Sequence, residues 1–498
     1  MTAIHFDEDR CYEALLSRDA RFDGQFIAAI TSTGIYCRAS CPTPVRPKRT
    51  NVRVFATAAA AQAAGFRSCK RCRPDASPGS PEWDRRADLV GQAMRLIESG
   101  AVDRVGVAGL ASELAVSERH LHRSLVEAVG ASPIELARTQ RTNLARILLE
   151  TSQLTMTDVA FAAGFASIRQ FNDTIRATFD RTPSEMRKAA PLRPTSHSGV
   201  ELTVKLAVRE PFDAAWMLRF HNEHAIPGVV SEPDASEIET VFRRSLRLPS
   251  GPGIVAIESK PTLQATLSLS HLADVSAALA TVRSMFDLDA DPVRIGSILD
   301  ADRGIRKLRT SVPGIRVPGA PDPFESIVGA IIGQQISIAG ARTILGRLVE
   351  ACATDELSEA MIRPGSPTNL FPTPKQLLET DITGLGLTTR RQKTLRAMAE
   401  SIVEGHLDLS ERTPREETKQ QLLTLPGIGP WTVDVVAMRG LRDPDVLLRG
   451  DLIANRAFEQ LGIDLVGTEH LAPWRSYVTT AAWAYERLTS SAKTGSKS

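Results

Sequence analysis

The sequence predicts a multidomain chain, mainly α with α+β parts, and three observations carry that reading. At 498 residues the chain is too long for one hydrophobic core, and its length alone suggests roughly three domains. Two stretches rich in proline, serine and glycine, RPDASPGSPEW at 73–83 and APLRPTSHSG at 190–199, read as linkers. The hydrophobic period also changes along the chain: helical from 84 to 190, strand-like from 201 to about 287, then helical again to about Leu488. The expected domains are therefore 1–78, 84–190, 200–287 and 288–490, with a small cysteine-rich domain first, paired helical hairpins second, a β-rich lobe third and a helical domain last.

The net charge of +2 hides an asymmetry. Residues 1–80 carry 12 Lys/Arg against 7 Asp/Glu, whereas residues 81–190 carry 14 against 14. The basic excess sits beside the cysteines, in VRPKRTNVR and RSCKRCR, where it suits a polyanion such as nucleic acid; an ordinary solvated face is the plainer alternative. The N-terminus lacks a basic stretch followed by an apolar core, and no apolar run approaches the roughly 18 to 20 residues of a membrane span. No membrane partner is expected, and a soluble, cytoplasmic protein is the expectation.

In the first segment, Cys37 and Cys41 form a C-x3-C pair, and after 27 residues Cys69 and Cys72 form a C-x2-C pair. Paired short spacings let each pair grip one side of a tetrahedral zinc ion, which binds thiolates at about 2.3 Å. Most such sites only staple a small domain. TSTGIYCRASC and AAGFRSCKRCRPD, however, resemble the N-terminal domain of the Ada alkylation-response family over about residues 7–75. That resemblance implies one Zn²⁺ that is both structural and nucleophile-activating, held by Cys37, Cys41, Cys69 and Cys72. It also implies that Cys37 takes a methyl group from a DNA methylphosphotriester and keeps it, a reaction that the nucleophilic thiolate form makes chemically reasonable.

The second segment repeats itself at an offset of 50 residues. SERHLHRSLVEAVGASPIEL starts at Ser117 and SIRQFNDTIRATFDRTPSEM at Ser167, each opening on a serine suited to cap a helix and each preceded by a small-residue helix and a tight turn. The pair resembles the AraC-type DNA-binding domain. Two recognition helices, Ser117 to about Ala128 and Ser167 to about Thr178, would enter successive major grooves if held roughly 34 Å apart. Arg119, His120, His122, Arg123, Arg169, Gln170 and Asn172 are the polar candidates for bases or phosphates. Promoter DNA and RNA polymerase are the partners this implies, with a monomer as the expected state.

In the third segment LTVKLAVR, TVFRRSLRL, GIVAIES and TLQATLSLS read as strands, followed by a helix near LADVSAALATVRSMF. The fourth opens on the helix pair FESIVGAIIGQQISIAGARTILGRLVEACA, breaks at the irregular RPGSPTNLFPTPKQ and ends in TSSAKTGSKS, which reads as disordered. Within it LLTLPGIGPWTVDVVAMRG has helix-hairpin-helix form. Gly427 and Gly429 let backbone N–H groups approach a phosphate, and the hairpin carbonyls can hold a cation, with a monovalent ion as the candidate. Asp451 follows about 20 residues later, where a plain helix N-cap is the alternative role.

GIGPWT, AMRG, Asp451 and PWRSY at 473–477 together resemble the helix-hairpin-helix DNA glycosylases, and within them the AlkA 3-methyladenine glycosylases, from about Leu202 to Leu488. The resemblance implies that Asp451 stabilises an oxocarbenium-like transition state or orients water, with Phe220, Trp431 and Trp483 lining a base pocket and Gln335 wedged into the vacated DNA stack. Trp431 stands where bifunctional relatives carry lysine, so base removal without strand cleavage is expected. Val435 and Leu452 stand where tyrosine is frequent, which leaves the substrate range open and points to 3-methyladenine. No Pro-Cys-His-Arg motif occurs, so no O6-methylguanine transfer is expected. The competing class is a methyl-sensing transcription factor whose glycosylase-like half binds DNA without catalysis.

Overall fold

The computed structural model describes residues 8–69, 89–188 and 201–495 apart from internal stretches of at most seven residues, and Cys72 lies outside the described residues. The chain forms two compact units, residues 1–140 and 141–498.

In the first unit, α1 (Glu8–Ser17) precedes a sheet of β1 (Ile27–Ile30), β2 (Ile35–Cys37), β3 (Val52–Phe55) and β4 (Arg67–Ser68), in the order β3-β1-β2-β4. Three strands run antiparallel, but β4 joins β2 in parallel with Tyr36 opposite Ser68. Small Ala28 and Ala29 and the ring of Tyr36 are fully buried, so the sheet closes on a minimal core. Then come α2 (Ala101–Glu113, kinked at Gly106) and α3 (Glu118–Val129), with α4 (Pro133–Thr151) running into the second unit. Ser117 caps α3 through His120 N at 3.2 Å, and Ser132 with Glu135 forms a reciprocal capping box at the start of α4.

The second unit repeats this grammar. In α5 (Met156–Ala162), α6 (Ile168–Phe179) and α7 (Pro183–Lys188), Ser167 caps α6 through Gln170 N at 3.2 Å, and Thr182 with Glu185 boxes α7. The echo in sequence is thus an echo in capping chemistry, SPIE against TPSE, with proline at the first helical position each time.

Strands β5 (Glu201–Lys205), β6 (Val241–Leu248), β7 (Gly251–Glu258) and β8 (Gln264–Leu269) make an antiparallel sheet in the order β5-β8-β7-β6. Between β5 and β6 the chain inserts α8 (Ala214–Glu223), and after β8 comes α9 (Val275–Met285). The helical remainder is α10 (Pro292–Leu299), α11 (Arg303–Ser311), α12 (Pro323–Gly333), α13 (Ile338–Ala351), α14 (Pro374–Glu379), α15 (Thr389–Val403), α16 (Arg415–Leu423), α17 (Pro430–Arg439), α18 (Leu452–Leu461) and α19 (Arg475–Gly495). A buried bidentate pair, Arg244 to Glu325 at 3.1 and 2.8 Å, fastens β6 to α12. The tail departs from expectation: α19 continues to Gly495, because nothing before that glycine breaks a helix. No helix among the described residues is long and apolar enough to cross a membrane.

Candidate active site and metal centre

The parallel pairing of β2 with β4 brings the cysteine pairs together. Cys69 N donates to Tyr36 O at 3.0 Å, which sets Cys69 beside Cys37, and a turn closed by Cys41 N to Arg38 O at 3.2 Å returns Cys41 to the same place. The three sulfurs lie within 4.8 Å of one another and all three residues are buried. Cys41 Sγ and Cys69 Sγ stand 3.8 Å apart, the edge length of a tetrahedron whose centre is about 2.3 Å from each sulfur. The donor set therefore fits zinc.

Of the base-recognition candidates of both helical hairpins, Arg119, His122 and Arg123 on α3 and Arg169, Gln170 and Asn172 on α6 are exposed, and His120 is half-buried. Arg123 contacts His120 Nδ1 at 3.3 Å, and Arg169 pairs loosely with Asp173 at 3.9 Å, so both arginines stay on the surface and can be redirected.

Further along, the hairpin between α16 and α17 turns through Gly427 at φ 83°, where a Cβ would lie 2.3 Å from Thr394 Oγ1. That hydroxyl donates to Pro426 O at 2.7 Å and fixes the hairpin to α15. Gly429 caps α17 without a side chain, leaving the first N–H groups of the helix unobstructed. Gln334 Nε2 reaches from the end of α12 to Gly427 O at 3.2 Å and to Thr432 Oγ1 at 2.9 Å, while Arg391 donates to Gln334 O. The next residue, Gln335, is exposed with φ at 56°, an uncommon conformation for a side-chain-bearing residue, displayed on the turn into α13.

A cavity of about 690 Å³ opens in the second unit and is lined by Phe220, Trp431, Asp451 and Trp483, which span 264 positions of sequence. Gln335 does not line it, although its neighbour Ile336 does. The PWRSY segment explains how Asp451 is held. Arg475 clamps Asp445 at 2.7 Å twice, Ser476 Oγ accepts from Val446 N at 2.9 Å, and Thr479 Oγ1 accepts from Leu448 N at 3.3 Å, so the chain approaching Asp451 is laid along α19. Asp451 is the N-cap of α18 as well as a cavity residue: its Oδ1 accepts from Ile453 N at 3.1 Å, Ala454 N at 2.9 Å and Trp483 Nε1 at 3.0 Å. Among the described residues Oδ2 takes none of these bonds. The helix cap and the cavity carboxylate are therefore one group, with Oδ1 taking the cap bonds.

Trp483 in turn stacks on Phe220 at 5.9 Å and 17°, and Phe220 on His224 at 4.2 Å and 20°. The Arg439 guanidinium lies 5.1 Å from the Phe220 centroid. Burial, with Arg439 adding to it, pushes His224 down to about 4 and His221 to about 3, so both rings are neutral near pH 7. Burial also lowers Arg439 to about 10, which leaves it charged. His224, His221 and Arg439 were not singled out in the sequence. A signal existed for the arginine, since Trp431, Val435 and Arg439 recur every four residues on one face of α17. Leu452, at a position where tyrosine was considered, is 75 % exposed, so its side chain points to solvent.

Four family models match in succession: the metal binding domain of Ada at 10–75, a helix-turn-helix domain at 110–189, the AlkA N-terminal domain at 203–322 and the HhH-GPD superfamily base excision DNA repair protein at 328–465. DNA-3-methyladenine glycosylase 2 of Escherichia coli is 30 % identical, matching 55 % of this chain and 95 % of its own length. The bifunctional transcriptional activator/DNA repair enzyme Ada of the same organism is 31 % identical over 41 % of this chain and 53 % of its own. Among solved structures, 3-methyladenine DNA-glycosylase from Archaeoglobus fulgidus superposes on 58 % of the chain, covering 99 % of its own, with a TM-score of 0.48 and 19 % identity. A Mycobacterium tuberculosis protein described as a probable bifunctional transcriptional activator/DNA repair enzyme AlkA is 45 % identical over 96 % of this chain and 97 % of its own length. The chain belongs to the family of bifunctional transcriptional activators and DNA repair enzymes of that kind.

Proposed function

We propose that the chain is a DNA alkylation repair enzyme and adaptive-response regulator with domains at 1–78, 84–190, 200–287 and 288–490. It releases alkylated purines such as 3-methyladenine, accepts a methyl group from DNA methylphosphotriesters on Cys37, and binds promoter DNA as a methylation-sensitive transcription activator working with RNA polymerase, acting as a monomer in the bacterial cytoplasm at the nucleoid. One observation carries the glycosylase reading: a carboxylate whose Oδ1 takes three bonds that, among the described residues, Oδ2 does not share lines an aromatic-walled cavity together with Trp431 of the hairpin's second helix.

In this mechanism Gln335 fills the stack, the hairpin holds the backbone, and the base turned out of the helix enters between Trp431, Phe220 and Trp483. The C1′–N bond breaks with its electron pair going to the base, so a cationic alkylated base leaves neutral and the positive charge passes to the sugar. Asp451 Oδ2 stabilises that charge; water then bonds to C1′ and gives its proton to the carboxylate or to solvent. No lysine lines the cavity among the described residues, which supports release without a Schiff base or strand cleavage. A monovalent cation on the hairpin carbonyls would add to the backbone grip.

At the first domain, Cys37, Cys41, Cys69 and Cys72 would hold zinc, which when bound keeps sulfur in the thiolate form. Cys37 Sγ forms the new bond to the methyl carbon as the methyl–oxygen bond breaks, leaving a phosphodiester. The test is free-base release from methylated duplex DNA by wild type and by Asp451→Asn, which can still cap α18. Release by wild type, lowered about 100-fold or more in the variant, is expected. No release from folded wild type would leave a methyl-sensing regulator with a non-catalytic half.

A further inference from the structure

Five of the arginines on the cavity wall have an evident station. Arg219, Arg244, Arg342 and Arg487 each hold a glutamate, and Arg456 is exposed to solvent. Arg439 has neither. It is partly buried, its Nε donates to Pro318 O at 3.3 Å, and among the described residues it has no ion pair. The acid whose charge it feels, Glu325, is occupied at both oxygens by Arg244. Neighbouring His224 and His221 turn toward the backbone carbonyls of Phe220 and Met285, at 2.8 and 3.2 Å. Among the described residues the terminal N–H groups of Arg439 have no protein acceptor, so they are donors on an aromatic cavity wall that a ligand oxygen can accept from.

We infer that Arg439 is a specificity-determining residue that donates to the exocyclic carbonyl oxygen of a purine turned into the cavity, so that the chain favours alkylated guanines over alkylated adenines. This rests on the glycosylase reading above. At the edge where guanine presents a carbonyl, adenine presents an amino group, and two donors facing each other cost binding. The Arg439 guanidinium lies against the Phe220 ring, and a planar fork suits an in-plane carbonyl better than a lysine ammonium does. Repulsion between Arg439 and a cationic base weakens the bound state but disappears as the base leaves neutral, so it does not oppose the chemical step.

Methylated duplex DNA carries 7-methylguanine and 3-methyladenine together, and the ratio of their initial release rates is an internal measure. The full-length protein should release 7-methylguanine readily. Arg439→Met should lower that rate about tenfold or more while changing 3-methyladenine release less than about threefold. Arg439→Lys should shift the ratio the same way by less, and affinity for an abasic duplex should stay near wild type in both variants. If the two rates fall in parallel in both variants, Arg439 is structural and the inference is overturned. Release of 3-methyladenine alone by wild type overturns it too. Release of neither base by folded wild type overturns the glycosylase reading, and this inference with it.

Discussion

Asp451 is held by three donors on one oxygen, of which one is a side chain and can be removed by substitution. Ile453 N and Ala454 N belong to the helix and cannot be edited, but Trp483 Nε1 can. Trp483→Phe keeps an aromatic face toward Phe220 and removes the indole N–H, so base release should fall by about three- to tenfold in kcat with little change in KM. A larger change in KM would assign Trp483 to base stacking instead. The two buried histidines make a pH prediction. Unfolded, each titrates near 6.5; folded, His224 and His221 are held down near 4 and 3. Below pH 6.5 the unfolded chain therefore binds the extra proton first. Stability present above pH 6.5 is lost as pH falls through the window toward those folded values, by up to about 1.4 kcal/mol per pH unit per histidine. Urea unfolding of the second unit at pH 7.5 and pH 5 should show this drop, and His221→Phe should reduce it; an unchanged difference in that variant would remove His221 from the account.

At the scale of elements, the turn from α12 to α13 and the hairpin from α16 to α17 are joined by one side chain. Gln334 binds Gly427 O and Thr432 Oγ1, and its own carbonyl is held by Arg391. The turn that displays Gln335 is thereby placed relative to the hairpin proposed to grip the DNA backbone. Gln334→Met keeps the volume and loses both bonds. Release from fully paired duplex should fall about tenfold, and should recover when the lesion sits in an unpaired bubble, where little displacement is needed. An equal loss on both substrates would mean general damage. Gly427→Ala is more severe, since it combines φ 83° with a 2.3 Å clash against Thr394 Oγ1, and affinity for undamaged duplex should fall with activity. These elements also show what can be read in advance. Hairpin glycines, cap serines and paired cysteines are legible because their chemistry is local: a turn, an N–H to satisfy, a short ligand spacing. The tie through Gln334 spans 93 positions and shows in no local pattern, while Arg439 shares a helix face with Trp431 and Val435 but carries a charge that ordinarily means solvent, so its place on the cavity wall is easily passed over. The insertion of α8 between β5 and β6, which carries Phe220 to Trp483, is a tertiary event of the same kind.

For the whole molecule the relevant quantity is charge at the cysteine cluster, since repair and regulation both meet a polyanion. Four thiolates around a divalent zinc carry a formal charge of about −2, and methylating one of them brings this to about −1. The surrounding segment is basic, with 12 Lys/Arg against 7 Asp/Glu in residues 1–80, but Arg49 is already paired with Glu8 and Asp9, so part of that excess is offset. If the cluster meets phosphate as proposed, one unit of charge removed there weighs more than the net count suggests. Incubation with methylphosphotriester DNA should add one methyl mass on wild type and none on Cys37→Ser. The methylated protein should then bind an undamaged promoter duplex about tenfold more tightly than the unmethylated protein near 0.1 M salt. That ratio should shrink as salt rises, because screening acts over about 10 Å at that ionic strength. Equal affinities at every salt concentration would remove the switch while leaving methyl acceptance intact. A ratio that persists unchanged at high salt would instead point to a shape change in the domain rather than to its charge.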